Sequence, residues 1–176
     1  MAGPYLRAMP ISLGAAVPKI QVPAYVRGRR NARLTGPADE PGRWVVLAFY
    51  PRDFDSTCAD ELADLAGLQS VLEAENATVM GVSTGSWLAH RRWFAHHPQL
   101  SAVDYPILAD TSYELSRAFD TLEEDGTCRR ATFVIDPEGV LRYAMVAHGA
   151  TRRSAFETVR MLHELREPAW RALLAA

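Results

Sequence analysis

The sequence predicts an α/β fold with a central mixed sheet flanked by helices. Three observations carry that prediction. Short, continuous apolar runs recur at 44–49, 77–82 and 131–136, the composition of strands covered on both faces. Between them lie stretches whose apolar residues recur every third or fourth position, the period of a helix. The order is strand, helix, strand, helix, strand, then a hairpin and a last helix, which is the pattern of a layered α/β domain.

The elements can be justified in turn. Residues 1–42 are rich in Gly and Pro and poor in long periodic runs, and they read as turns and short strands leading into the domain. The run WVVLAF at 44–49 is a buried central strand, which Pro51 stops. A loop, RDFDST, follows at 52–57. From Cys58 the period changes, and Leu62, Leu65, Ala66 and Leu72 mark one face of a helix ending near Asn76. The run ATVMGV at 77–82 is the next buried strand. Residues 86–96 have helical character and carry Trp87, Trp93 and Phe94. A loop with Pro98 leads to a short strand at 105–108, and 112–119 is a short helix. The runs ATFVID at 131–136 and VLRYAMV at 140–146 are hairpin strands around the turn residues PEG. A final helix from about Ser154 to Arg166 places Phe156, Val159, Leu162 and Leu165 on one face.

Composition narrows the class. The chain has 176 residues, 48% of them apolar, which suits one domain over 1–176 with a sizeable core. Its expected extensions are a flexible N-terminus at 1–10 and a short C-terminal tail at 167–176. A net charge of −2 gives no electrostatic footprint for nucleic acid or an anionic membrane. The many arginines beside the single Lys19 read as surface residues. No apolar run reaches the ~18–20 residues of a membrane span. The N-terminus lacks the apolar core of a secretory signal, so the expected location is the cytoplasm. Two cysteines do not make a disulfide framework. The five histidines, His90, His96, His97, His148 and His163, form no set at metal-ligand spacing. No cofactor motif is present.

Cys58 is the candidate reactive residue. It falls where a buried strand has ended and a helix begins, so first-turn amides and the helix dipole favour an anion there. A cysteine so placed can have its pKa lowered from ~8.5 into the range ~3.5–7.5. At pH 7 a pKa of ~8.5 leaves ~3% thiolate, whereas a value near 6 leaves ~90%. The polar surroundings, DST before it and ADE after it, argue against a purely apolar burial.

The stretch GRWVVLAFYPRDFDSTCADEL at 42–62 resembles the active-site region of peroxiredoxins. The resemblance continues through VMGVST at 79–84 with Trp93, YPILAD at 105–110, RATFVIDPEGVLRY at 130–143 and RRSAFETVRML at 152–162. It covers most of residues 10–170 and implies a thioredoxin-like fold and a thiol peroxidase reducing hydrogen peroxide or an organic hydroperoxide. By resemblance, Cys58 attacks the O–O bond and becomes a sulfenic acid, the first rung of cysteine oxidation. Arg130 stabilises the thiolate and polarises the peroxide, as a permanently charged fork of donors can. Pro51 shields the thiolate from water, Glu61 orients Arg130, and Arg153 assists. Arg129 and Arg152 are the neighbours that a one-residue register error would exchange for these. The resemblance also implies an external thiol or thioredoxin-like reductant and a homodimer or higher homo-oligomer.

Three departures qualify the match. Asp55 stands where the family has Thr or Ser. An ionised carboxylate cannot donate a hydrogen bond, and at ~5 Å and an effective dielectric of ~20 it opposes a thiolate by ~3 kcal/mol. Pairing of Asp55 with Arg130 or Arg153, its protonation, or a change of chemistry would each reconcile it with the site, while Ser56 and Thr57 are the expected helix caps. The second departure is REPAW at 166–170, which puts Glu167 at the position of a C-terminal resolving cysteine and leaves a one-cysteine or atypical cycle. The third is Cys128, two residues before Arg130. It is expected near the pocket mouth, either as an atypical resolving cysteine or as an incidental loop thiol. Two rival functions follow: a specialised biosynthetic enzyme that has lost peroxidase activity on this scaffold, and a redox sensor or chaperone-like oligomer.

Overall fold

The computed structural model describes residues 10–147 and 151–167. The expectations for 1–9, for His148 and for the tail beyond Glu167 lie outside the described residues. The elements are β1 (Val22–Tyr25), β2 (Arg33–Thr35), β3 (Trp44–Phe49), α1 (Ser56–Gly67), α2 (Gln69–Ala74), β4 (Ala77–Ser83), α3 (Trp87–His96), β5 (Ile107–Ala109), α4 (Glu114–Ala118), β6 (Ala131–Ile135), β7 (Leu141–Val146) and α5 (Ala155–Arg166). The strands form one sheet in the order β2-β1-β5-β4-β3-β6-β7. β3 runs parallel to β4 and antiparallel to β6. The sheet is therefore mixed, as expected.

Every residue of β3 is buried, because the strand is covered on both faces. Its alternation divides the core. Val46, Ala48 and Tyr50 join Cys58, Leu62, Leu65, Trp93 and Leu162 beneath α1, α3 and α5. Val45, Leu47 and Phe49 face the other way, into a layer with Leu115, Phe119, Cys128 and Phe133. There Phe49, Phe119 and Phe133 stack with centroids 4.8–5.6 Å apart, spacings typical of tilted and edge-on aromatic pairs.

Two sequence expectations change. The helix expected from Cys58 to Asn76 starts two residues earlier and is interrupted at Leu68, giving α1 and α2. Asn76, at φ 52°, ends it in the left-handed region that asparagine tolerates, and its side chain donates to the Gly42 carbonyl at 2.9 Å. On α5, Phe156 is 70% exposed, and the buried face is Ala155, Thr158, Leu162 and Leu165. The anchored residue just before the helix, Arg153, sets this phase: its guanidinium donates to the Phe49 carbonyl and its backbone N–H to Glu61.

Candidate active site

Tyr50 extends the central sheet by donating its backbone N–H to Val82, and Pro51 ends it. The chain then turns through 51–55 into α1. The cap of α1 is Asp55, not Ser56 or Thr57: its Oδ1 accepts the Cys58 backbone N–H at 2.9 Å. Aspartate is among the best N-caps. Serine and threonine cap as well, so aspartate here keeps the cap and adds a negative charge beside the thiol.

Cys58 lies in the first turn of α1 and is fully buried. Arg130, one residue before β6 and beside the end of β3, places Nη2 3.6 Å from the Cys58 Sγ. The same guanidinium lies 3.7 Å from Asp55 and 3.3 Å from Glu61. Glu61, also buried, is shared. Its Oε2 accepts from Arg130 Nε, and its Oε1 accepts the Arg153 backbone N–H at 2.6 Å. Pro51 is half-buried at the head of the loop. The register is that of Arg130 and Arg153: Arg129 turns to Glu123, and Arg152 pairs with Asp60 and Asp64 on the outside of α1.

The electrostatics depart from the sequence expectation of a lowered thiol pKa. Burial pushes Cys58 up to about 11. The Arg52 backbone N–H and the Arg130 guanidinium oppose the rise, and the Asp55 carboxylate adds to it. The hydrogen bond from the Cys58 amide, with Arg130 beside it, holds the Asp55 carboxyl below its ordinary value, so Asp55 is ionised at neutral pH. Of the three routes that would reconcile Asp55 with the site, the geometry shows pairing with Arg130. The Arg52 amide had no sequence signal, since a backbone donor is independent of side-chain identity.

Cys128 is corrected in position. It is buried in the layer on the opposite face of the sheet from Cys58, with Sγ 3.2 Å from the Ser116 hydroxyl. Burial pushes its thiol up to about 11 as well. Both thiols are free. Among the described residues, no group of three or more His, Cys, Asp or Glu side chains is arranged to hold a metal ion.

A mixed α/β sheet that presents a buried helix-start cysteine to a carboxylate-braced arginine defines a thiol-dependent oxidoreductase of the thioredoxin-like class. The AhpC/TSA family profile matches residues 13–144. Alkyl hydroperoxide reductase C of Mycobacterium tuberculosis is 33% identical over 165 residues, covering 88% of this chain and 85% of the relative. Its counterpart from Staphylococcus saprophyticus is 37% identical over 115 residues, covering 65% of this chain and 61% of the relative. Among solved structures, Enterococcus faecalis AhpC superposes with a TM-score of 0.82 at 30% identity, covering 86% of this chain and 90% of that one. The chain belongs to the AhpC/TSA family of peroxiredoxins.

Proposed function

We propose that this protein is a thiol peroxidase in which Cys58 reduces a hydroperoxide. The observation that carries the reading is the Arg130 guanidinium 3.6 Å from Sγ, braced by Glu61. The Cys58 thiolate attacks one peroxide oxygen, the O–O bond breaks, and the other oxygen leaves with a proton as water or alcohol. Cys58 is left as a sulfenic acid. Arg130 donates to the peroxide oxygens as charge develops on the leaving one. Glu61 holds Arg130 in place and Arg153 completes the brace. Pro51 screens the sulfur, and Asp55 caps α1.

The cycle is one-cysteine. An external thiol attacks the sulfenic sulfur and releases water, giving a mixed disulfide. A second thiol then restores Cys58. The separation of Cys58 and Cys128 into opposite core layers supports this. Likeness to the family supports two further proposals, a homodimer or larger homo-oligomer and a cytoplasmic location; among the described residues no helix is long and apolar enough to cross a membrane. No observation favours the biosynthetic or sensor alternatives, and the relatives reported above carry hydroperoxide reductase names.

Stopped-flow mixing of reduced protein with hydrogen peroxide tests the reading. Oxidation should vanish in Cys58→Ser and persist in Cys128→Ser. Equal rates in wild type and Cys58→Ser would reject it.

A further inference from the structure

A second polar cluster lies beneath the active-site loop, and the mechanism above does not use it. Asp53, two residues after Pro51, turns its carboxylate inward. Tyr50 donates its hydroxyl to Asp53 Oδ1 at 2.9 Å, and His90 Nδ1 lies 2.8 Å from Asp53 Oδ2. The His90 side chain is 0% exposed and that of Asp53 5%. A carboxylate only accepts, so Nδ1 carries the proton and donates. The 3.4 Å approach of the Tyr50 hydroxyl to Nδ1 is then a contact, since both protons are already given to Asp53. His90 Nε2 is buried with no partner among the described residues.

The surroundings fit this arrangement closely. A Cβ at Gly85 would sit 3.0 Å from Asp53 Oδ2, 3.0 Å from His90 Cε1 and 3.2 Å from Ser83 Oγ. Any side chain at position 85 therefore presses on the carboxylate. Apolar groups would fill this layer without leaving a nitrogen unpaired. What the cluster holds is the loop. Next to Asp53, Phe54 adopts φ 60° and is 62% exposed, a left-handed conformation that an aromatic residue keeps only when its neighbours fix it. The same short loop carries Pro51, the Arg52 amide that points at the Cys58 sulfur, and the Asp55 cap.

We infer that His90 is a positioning residue: with Tyr50 it clamps Asp53 and so fixes the 51–55 loop against Cys58 for attack on peroxide. The clamp ties the loop to α3 and the end of β3, whose Trp93 and Tyr50 pack in the same core layer as Cys58. This rests on Cys58 being the peroxide-reactive group.

The test compares the rate of Cys58 with hydrogen peroxide to its rate with iodoacetamide, measured at one pH in His90→Leu, His90→Asn and Tyr50→Phe. A change in thiolate fraction moves both rates together, whereas misplacing the loop lowers the peroxide rate relative to alkylation. Because Cys58 is buried, loss of the fold would instead expose it to iodoacetamide, and circular dichroism together with the His90→Asn rescue separates that case. Leucine and asparagine have similar shapes, and the asparagine amide restores a donor at the place of Nδ1. The peroxide-to-alkylation ratio should fall at least about tenfold in His90→Leu, because a displacement of ~1 Å can cost up to ~100-fold. It should return to within about threefold of wild type in His90→Asn. An unchanged ratio in His90→Leu, or no rescue by His90→Asn, would overturn the clamp. Should His90→Leu fail to fold, Tyr50→Phe decides, with a lowered ratio expected and an unchanged one contrary. If wild type itself does not react with peroxide, it is the peroxidase reading that fails.

Discussion

Asp55→Thr isolates the charge that separates this site from one with a hydroxyl. The Asp55 carboxylate lies against the first turn of α1 and raises the Cys58 thiol together with burial. Two unit charges ~4 Å apart at an effective dielectric of ~20 interact by ~4 kcal/mol, which is ~3 pKa units. The Asp55 side chain is 37% exposed and 3.7 Å from Arg130, so solvent and the guanidinium screen it. Discounting for that leaves roughly 1–1.5 units. Threonine still caps the helix, at a cost of a few tenths of a kcal/mol, and it frees Arg130 to face the sulfur. The Cys58 pKa should therefore fall from about 11 by roughly 1–1.5 units, raising the thiolate fraction at pH 7 by ~10–30-fold. The assay is the pH dependence of iodoacetamide alkylation, followed by stopped-flow oxidation at pH 7. Oxidation should accelerate by at least the gain in thiolate. An unchanged or higher thiol pKa in the variant would refute the assignment of Asp55 as the opposing charge.

Other outcomes follow from the same geometry. In the wild type, with the thiol raised to about 11, the alkylation rate should climb about tenfold per pH unit from pH 7 towards that value; a plateau near neutrality in the alkylation profile would contradict the burial account. Glu61→Gln removes the negative charge and one of the two acceptor oxygens that Arg130 and Arg153 share, and should cost ~3 kcal/mol in urea unfolding along with a large loss of peroxide rate. In Cys128→Ser, one equivalent of peroxide should still add one oxygen to the intact mass, and turnover should still require an external thiol; an internal disulfide in the wild type that disappears in this variant would break the one-cysteine cycle. Phe156→Ala should change stability by less than ~0.5 kcal/mol, whereas Leu162→Ala should cost ~2–5 kcal/mol, because only Leu162 is buried.

The sheet was readable because buried strands announce themselves as unbroken apolar runs. The run 44–49 is β3 to the residue, and 77–82 and 131–136 miss β4 and β6 by one residue at one end. Helix limits were harder, since periodicity is blind to caps. Asp55 was read as a misfit in a pocket, yet its oxygen takes the Cys58 amide and starts α1 two residues early. The phase of α5 failed at Phe156 because a large apolar side chain outweighs Ala155 and Thr158 in any hydrophobic count, while the helix is set by where Arg153 is tethered. The convergence of Cys58, Arg130 and Glu61 was expected only through family resemblance, because contacts across 69 and 72 residues leave no local signal. The positions of Cys128 and His90 were unreadable for the same reason. Which face of the sheet a loop residue joins, and whether a histidine meets an aspartate 37 residues away, are decided by packing.

The most direct test of the account is the second-order rate of reduced Cys58 with hydrogen peroxide, compared with free cysteine at equal thiolate fraction. Arg130 and the loop amides should make the protein thiolate faster by at least about a hundredfold, the scale of one well-placed donor to a developing anion. A rate equal to that of free cysteine would mean that this geometry does not activate peroxide.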